Sequence, residues 1–241
     1  SGPPGTGKTY TARADAGGVG ADDGEHPAVH EQDGVWAAVV PVHQDADGTR
    51  HAPDYRVRAR YGHESTTVDD PYRFLPTLGD VDLHLIREGR HEELWRALGA
   101  NVRTYPSALG DTTGTAFAVW APNARAVRVI GDFNGWGPTH PMRSLGSTGV
   151  WELFVPGVVA GARYKYEILG PDGSWRQKAD PLAKAAEVPP ATASVVVESR
   201  YEWSDDAWLA ARAADDPHTQ PRSCDEVRLG SGGPGRDSGG S

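Results

Sequence analysis

Two stretches of this sequence carry residue types at spacings that could do chemistry. The first is Ser1-Gly-Pro-Pro-Gly-Thr-Gly-Lys-Thr9, which matches the phosphate-loop pattern from Gly2 to Thr9. In such a loop the glycine backbone wraps the phosphates, Lys8 would meet the terminal ones, and Thr9 would hold magnesium. The pattern needs a buried strand before it and a helix after it. Here only Ser1 precedes, and Tyr10-Thr-Ala-Arg-Ala-Asp-Ala-Gly-Gly18 soon runs into glycine. A flexible Gly/Pro end is therefore the expectation, with nucleotide binding through Gly2–Thr9 the lesser alternative. The second stretch is Gly131-Asp-Phe-Asn-Gly-Trp136, where a large ring sits in a turn and is poorly placed for complete burial. The Asp172-Gly173 step suits the positive φ angles of a tight hairpin, which would return Trp175 beside the strand carrying Lys165. Asp132, Asp172 and Asp180 could do carboxylate chemistry only by facing one another across a cleft. Each has turn residues beside it, so turn roles are expected. His26 and His30 are four apart but lie in a Gly/Pro-rich stretch that no helix would align, and the other histidines are isolated, so no metal site is expected.

The elements that must position these residues read as antiparallel strands. Thr115-Ala-Phe-Ala-Val-Trp120 and Ala126-Val-Arg-Val-Ile130 are rich in β-branched and aromatic residues and are parted by the turn-forming Ala121-Pro-Asn-Ala124. Val150-Trp-Glu-Leu-Phe-Val155 and Arg163-Tyr-Lys-Tyr-Glu-Ile-Leu169 alternate in and out, at the spacing of a β-sandwich. On such strands Trp120 and Trp151 are expected in the core. A weaker copy of this module starts near Asp33: Gly34-Val-Trp36 recurs as Gly149-Val-Trp151, Tyr55-Arg-Val-Arg-Ala-Arg-Tyr61 as Tyr164-Lys-Tyr-Glu-Ile168, and Asp70-Pro71 as Asp180-Pro181. Residues 10–30 show no strand pattern, so the first copy is expected to be incomplete. Between the copies, Asp80 to Gly99 reads as helical, with Leu83 and Ile86 on one face, Leu94, Trp95 and Leu98 on another, Gly89 as a break and Gly99 as the C-terminal cap. Ser204-Asp-Asp-Ala-Trp-Leu-Ala-Ala-Arg212 reads as a short helix with Ser204 as N-cap.

The expected fold class is all-β: two tandem Ig-like β-sandwiches, the first incomplete, with a short helical linker and disordered termini. The expected division is a disordered extension at 1–30, a partial first sandwich at 31–79, a helical linker at 80–99, a second sandwich at 100–200, and a short helix with a disordered tail at 201–241. The formal charge of −9 argues against nucleic-acid or anionic-membrane partners, which need a basic face. Cys224, the one cysteine, permits neither an internal disulfide nor a thiolate cluster and suits a reducing compartment. No apolar run near membrane-spanning length and no signal-peptide pattern occurs, so a cytoplasmic protein is expected.

Asp69-Asp-Pro-Tyr-Arg-Phe-Leu-Pro-Thr-Leu-Gly79, Val119-Trp-Ala-Pro-Asn-Ala124, Gly131-Asp-Phe-Asn-Gly-Trp136, Tyr164-Lys-Tyr-Glu167 and Lys178-Ala-Asp-Pro181 together resemble the N-terminal part of 1,4-α-glucan (glycogen) branching enzymes. The resemblance covers roughly Gly34 to Pro221. It implies an N-terminal β-sandwich, a second sandwich of the carbohydrate-binding module family 48 type, and then an α-amylase-like barrel that cuts an α-1,4 chain and rejoins it as an α-1,6 branch. Ser223-Cys-Asp-Glu-Val-Arg-Leu-Gly-Ser231 departs from the family's first barrel strand. The barrel and its catalytic acids are therefore expected to be missing, leaving no catalytic residue and no cofactor. Sugar rings present flat C–H faces and rim hydroxyls, and related glycogen-binding modules meet them with two tryptophans and a lysine. By motif position these are Trp136, Lys165 and Trp175. The family's asparagine near the module's end falls at Ser194. The implied function is a non-catalytic fragment in glycogen biosynthesis, with α-1,4-glucan chains and the missing barrel as partners. A purely structural spacer, with the aromatics as core, is the alternative.

Overall fold

The computed structural model describes residues 9–11, 16–21, 24–31, 35–40, 43–44, 50–51, 54–61, 63–107, 109–216, 219 and 223. Among the described residues the fold is all-β with a few short helices, and no helix is long and apolar enough to cross a membrane.

The first part is a six-stranded antiparallel sheet. Its strands are β1 (Thr9–Thr11), β2 (Ala16–Ala21), β3 (Gly24–His30), β4 (Val35–Ala37), β7 (Tyr55–Tyr61) and β8 (Glu64–Asp69), in the order β1-β4-β3-β2-β7-β8. A separate hairpin joins β5 (His43–Gln44) to β6 (Arg50–His51). The expectation that residues 10–30 hold no strand, and that 1–30 is disordered, is overturned where those residues are described. β2 pairs with β3 from Gly17↔Ala28 to Ala21↔Gly24, and with β7 from Ala16↔Arg60 to Ala21↔Tyr55. The physical reason is that ladder hydrogen bonds belong to the backbone, so Ala-Gly-Gly-Val-Gly-Ala can pair on both edges without an alternating side-chain pattern. Thr9 opens β1, whereas the rest of the Gly2–Thr9 stretch lies outside the described residues, as does the tail from Ser231.

The second part is a sandwich. After α1 (Asp80–Arg87) and α2 (Leu94–Ala97) come β9 (Gly99–Tyr105), β10 (Thr112–Trp120), β11 (Ala126–Gly131), β12 (Arg143–Ser144), β13 (Val150–Pro156), β14 (Arg163–Leu169), β15 (Trp175–Lys178), β16 (Ala185–Ala186) and β17 (Ser194–Val195). One sheet runs β12-β13-β10-β9; the other runs β11-β14-β17-β16, with β15 also paired to β14. Their inner faces supply one core, including Phe117, Val119, Val127, Val129, Leu153, Tyr164, Tyr166 and Val196. Because successive side chains point to opposite faces, Trp151, paired with Val119, leans on this core as expected. Trp120, paired with Val150, points to the opposite face of the same sheet and is 57% exposed, contrary to the expectation of burial. The strand was read correctly, and parity against the partner strand decided the side.

A third layer covers that outer face. Leu83, Ile86 and Leu94 pack with Leu78, Ala97 and Leu98 on Ala118 and Val150, so the helical segment lies against the sandwich. Trp95 is 50% exposed, because the single turn of α2 presents only one side to this cluster. Gly89 takes a left-handed φ of 66° just after α1, as its reading as a break requires. Gly99 is likewise left-handed at φ 86°, and it opens β9. Phe74 packs in a T-shaped contact with Phe154 at 4.6 Å, and Arg143 donates to the Phe74 carbonyl at 2.7 Å. Glu152, fully buried on this face, accepts from the Thr77 backbone at 3.3 Å and hydroxyl at 3.2 Å, with Arg143 at 2.8 Å.

Residues 199–241 form a separate unit. In it α3 (Asp206–Ala214) starts one residue later than its sequence reading, with Asp205 rather than Ser204 at the N-cap and no capping side chain.

Candidate functional site

Gly131-Asp-Phe-Asn-Gly-Trp136 builds one end of the site, and each residue has a physical task. Gly131 ends β11 where a Cβ would lie 2.3 Å from the Arg163 carbonyl oxygen. Asp132 grips the Arg163 guanidinium through two 2.9 Å hydrogen bonds. Phe133 anchors the turn by stacking on Phe117 at 5.6 Å. The Asn134 amide accepts from Gly131 N at 2.9 Å and donates to Val129 O at 3.1 Å, which closes the loop. Gly135 then takes a left-handed φ of 58°. Trp136 follows at φ 60°, a conformation that costs a bulky side chain roughly 1–2 kcal/mol. Its indole nitrogen donates to Asp132 at 3.2 Å, and the ring stays 37% exposed.

Trp175 and Lys165 arrive through sheet register. Trp175 pairs with Leu169 and is thus on the same side of the sheet as Lys165, four residues back along β14. Glu167 and its partners Arg128 and Gln177 lie between them on that outer face. The loop before Trp175 is wider than a two-residue hairpin. Gly170 N donates to Ser174 O at 3.0 Å, and in that loop only Gly173 has a positive φ, at 80°. Asp172 braces it by accepting from Ser174 N at 3.1 Å and pairing with Arg176, whose hydrogen bonds hold the Asp172 carboxyl down at about 2.

Trp175 is 43% exposed, and the Arg128 guanidinium sits 3.9 Å from its ring centroid. Arg128 is steered there by Glu167 at 2.5 Å, while Gln177 donates to the same carboxylate at 3.1 Å. Burial raises the Glu167 pKa, but the Gln177 and Arg128 bonds outweigh it and hold the carboxyl below its ordinary 4.5. A depressed folded-state pKa means this pairing is complete above about 4.5 and is lost as pH falls through the folded value. The Arg128 stack on Trp175 should therefore persist from neutral pH down past the usual carboxylate range. Glu167→Gln should abolish that low-pH transition in Trp175 emission, read as the difference between the two chains' titrations.

Lys165 Nζ donates to Thr192 Oγ1 at 2.7 Å. Ser194, where the family's asparagine was expected to fall, is 1% exposed and accepts from Asp180 N at 2.9 Å, so it faces inward. Thr192 is the polar group beside Lys165, and sequence reasoning missed it together with Arg128, Glu167 and Gln177. The signal lay in strand pairing, because Arg128↔Glu167 and Glu167↔Gln177 are register partners.

The other candidate acids do not converge. Asp132 is engaged by Arg163, Asp172 by Arg176, and Asp180 is buried under Tyr164 and Tyr166. His30 packs edge-on to Trp36 at 5.1 Å. Among the described residues no group of three or more His, Cys, Asp or Glu side chains could hold a metal ion.

With this geometry in view, comparison with known proteins is informative. Residues 97–183 match the family model for carbohydrate-binding module 48, the isoamylase N-terminal domain. The chain is 62% identical over 213 residues to a 1,4-alpha-glucan branching enzyme of Thermobifida fusca, covering 88% of this chain and 27% of the enzyme. It is 58% identical over 209 residues to that of Rhodococcus jostii, covering 86% and 28%. A pullulanase structure from Anoxybacillus overlaps at TM-score 0.36 and 20% identity, over 80% of this chain and 25% of that one, too little to carry an argument. The chain spans about a quarter of the length of the branching enzymes it matches. The chain thus carries a domain of the carbohydrate-binding module 48 family, within a stretch related to 1,4-alpha-glucan branching enzymes.

Proposed function

We propose that the sandwich is a non-catalytic, cytoplasmic module of glycogen biosynthesis that holds α-1,4-glucan chains through Trp136, Lys165 and Trp175, beside the 1,4-alpha-glucan branching that its relatives' name describes. It would also brace a catalytic barrel. The observation that carries this reading is Trp136: a bulky residue kept at a left-handed φ, where glycine would be unstrained, with its ring turned partly to solvent. Trp175 supports it, since Arg128 fixes the ring's orientation and the ring remains substantially exposed. Rigid aromatic platforms with a cation at the rim suit a neutral sugar, whose C–H face stacks while its hydroxyls find polar partners. The domain division stated above is proposed with it, amended by the strands β1 to β3, which join residues 9–30 to the first sheet, and by the packing of residues 80–99 on the sandwich.

The test is calorimetric titration of the chain with maltoheptaose beside a Trp136→Ala, Trp175→Ala double variant. Binding at the Trp136–Trp175 site should weaken at least tenfold in the variant while circular dichroism stays unchanged. Equal binding by both chains, or none by either, would favour the structural-spacer reading, in which Arg128 and Thr192 account for Trp175 and Lys165.

A further inference from the structure

The outer face of the other sheet carries a second aromatic platform. Trp120 has the parity of Ala116 and Ala118 on β10, so its ring lies on the side away from the sandwich core, and therefore on the opposite outer face from Trp175. The ring is exposed yet fixed. Its indole nitrogen donates to the Thr148 carbonyl at 3.2 Å, and a Cβ on Gly149 would stand 3.2 Å from that nitrogen, so glycine permits the close approach. Trp120 borders a cavity of about 600 Å³ lined also by Leu94, Leu182, Arg87, Glu88 and His91. That volume lies inside the range of roughly 300–1,000 Å³ typical of small-ligand sites.

The chemistry of the rim narrows the ligand. His91 is committed: one ring nitrogen faces Asp82 at 3.1 Å and the other accepts from Glu93 N at 3.2 Å. Arg87 is exposed and has no hydrogen bond or ion pair among the described residues. Glu88 lies next to it on the cavity wall. Asp180 also lines the cavity, but its carboxylate is taken up by Tyr164, Tyr166 and Leu182 N, and Glu88 is partly answered by His84 and Arg90 at 3.4 Å each. The rim thus holds no uncompensated charge of one sign for an ionic ligand to answer, while Arg87 and Glu88 offer donors and acceptors to hydroxyl groups. A flat indole, an aliphatic wall and a mixed polar rim together fit a neutral sugar ring better than a phosphate or an acyl chain.

We propose that this cavity is a second saccharide site, taking a short α-glucan segment on the Trp120 ring with Arg87 and Glu88 at its hydroxyls. The inference rests on the glucan-binding reading and deepens it: two sites on opposite faces let one module engage two chains of a branched polymer. Simultaneous engagement raises affinity for the polymer beyond that of either site.

The test measures stoichiometry with maltoheptaose and affinity for glycogen in the whole chain. Three variants stand beside it: Trp120→Ala, Arg87→Ala, and Trp136→Ala with Trp175→Ala. The unmodified chain should bind two oligosaccharides. Trp120→Ala should bind one and lose about tenfold or more in glycogen affinity, Arg87→Ala should weaken the same site without altering the fold, and the double variant should keep one site. A single site that the double variant abolishes and Trp120→Ala leaves intact overturns this proposal alone. No binding by the unmodified chain overturns both readings.

Discussion

Asp180→Ala is expected to lower the unfolding free energy by about 3 kcal/mol or more, through unpaired buried groups rather than lost volume. Tyr164 and Tyr166 are fully buried, and Tyr164 donates its hydroxyl to Asp180 at 2.6 Å, Tyr166 at 3.4 Å. The second carboxylate oxygen accepts from Leu182 N at 2.8 Å, which shapes the turn after Asp180. Alanine strands the Tyr164 phenol and the Leu182 amide and leaves Tyr166 only its 3.4 Å bond to the Ala118 carbonyl, and a polar group buried without a partner costs roughly 1–3 kcal/mol. Asp180→Asn keeps one acceptor oxygen and should cost less, about 1 kcal/mol. Urea unfolding of the three chains gives the comparison; losses of equal size in Ala and Asn would show that charge rather than pairing matters.

The same pair yields a pH test. Burial raises the Asp180 pKa above its ordinary 3.8, against the lowering effect of its hydrogen bonds. A carboxyl with a raised folded-state pKa binds its proton more tightly folded than unfolded. Its contribution to stability is then complete below 3.8 and declines as pH climbs through the raised folded value. The advantage of the unmodified chain over Asp180→Asn should accordingly be larger near about pH 3 than at neutrality.

Gly131→Ala should cost about 3 kcal/mol and weaken the proposed glucan binding as well. The new Cβ would meet the Arg163 carbonyl oxygen at 2.3 Å and Phe133 Cε1 at 2.7 Å. The first of these cannot swing aside, because Gly131 pairs with Tyr164 inside the β11–β14 ladder. Relief must come from moving the turn that carries Asp132 and Trp136. Gly135→Ala is the control: nothing lies within 4 Å of its Cβ, and only the left-handed φ of 58° is penalised, by about 1 kcal/mol. A Gly131→Ala chain as stable as Gly135→Ala would mean that β11 and β14 can separate locally at little cost.

Much of the architecture was legible because its signals are local. Alternation marked β13 and β14, and turn residues marked the bends between strands. The internal repeat proved informative down to single atoms. Tyr55 donates its hydroxyl to Asp70, and Asp70 accepts from Tyr72 N at 2.9 Å. Tyr164 and Asp180 repeat the arrangement, with Leu182 N in place of Tyr72 N. A tyrosine on a strand locked to an Asp-Pro turn is thus the recurring latch of both copies. By contrast β2 was invisible, since a glycine-rich strand announces itself only through the partners on its two edges.

The sequence by itself determined that Trp136 and Trp175 sit in or beside turns and that the main strands of the second sandwich are strands, because hydrophobic period and turn propensity are properties of neighbours in the chain. Tertiary structure alone decided which side of a sheet each tryptophan faces and what stands beside it. Trp120 and Trp151 occupy adjacent strands with the same local signal, and a one-residue difference in pairing sends the first outward and the second inward. Thr192 rather than Ser194 reaches Lys165, and Arg128 rather than solvent meets one side of Trp175. Period-two geometry makes each of these a matter of register against a distant strand, and register is set by the packing of the whole sandwich.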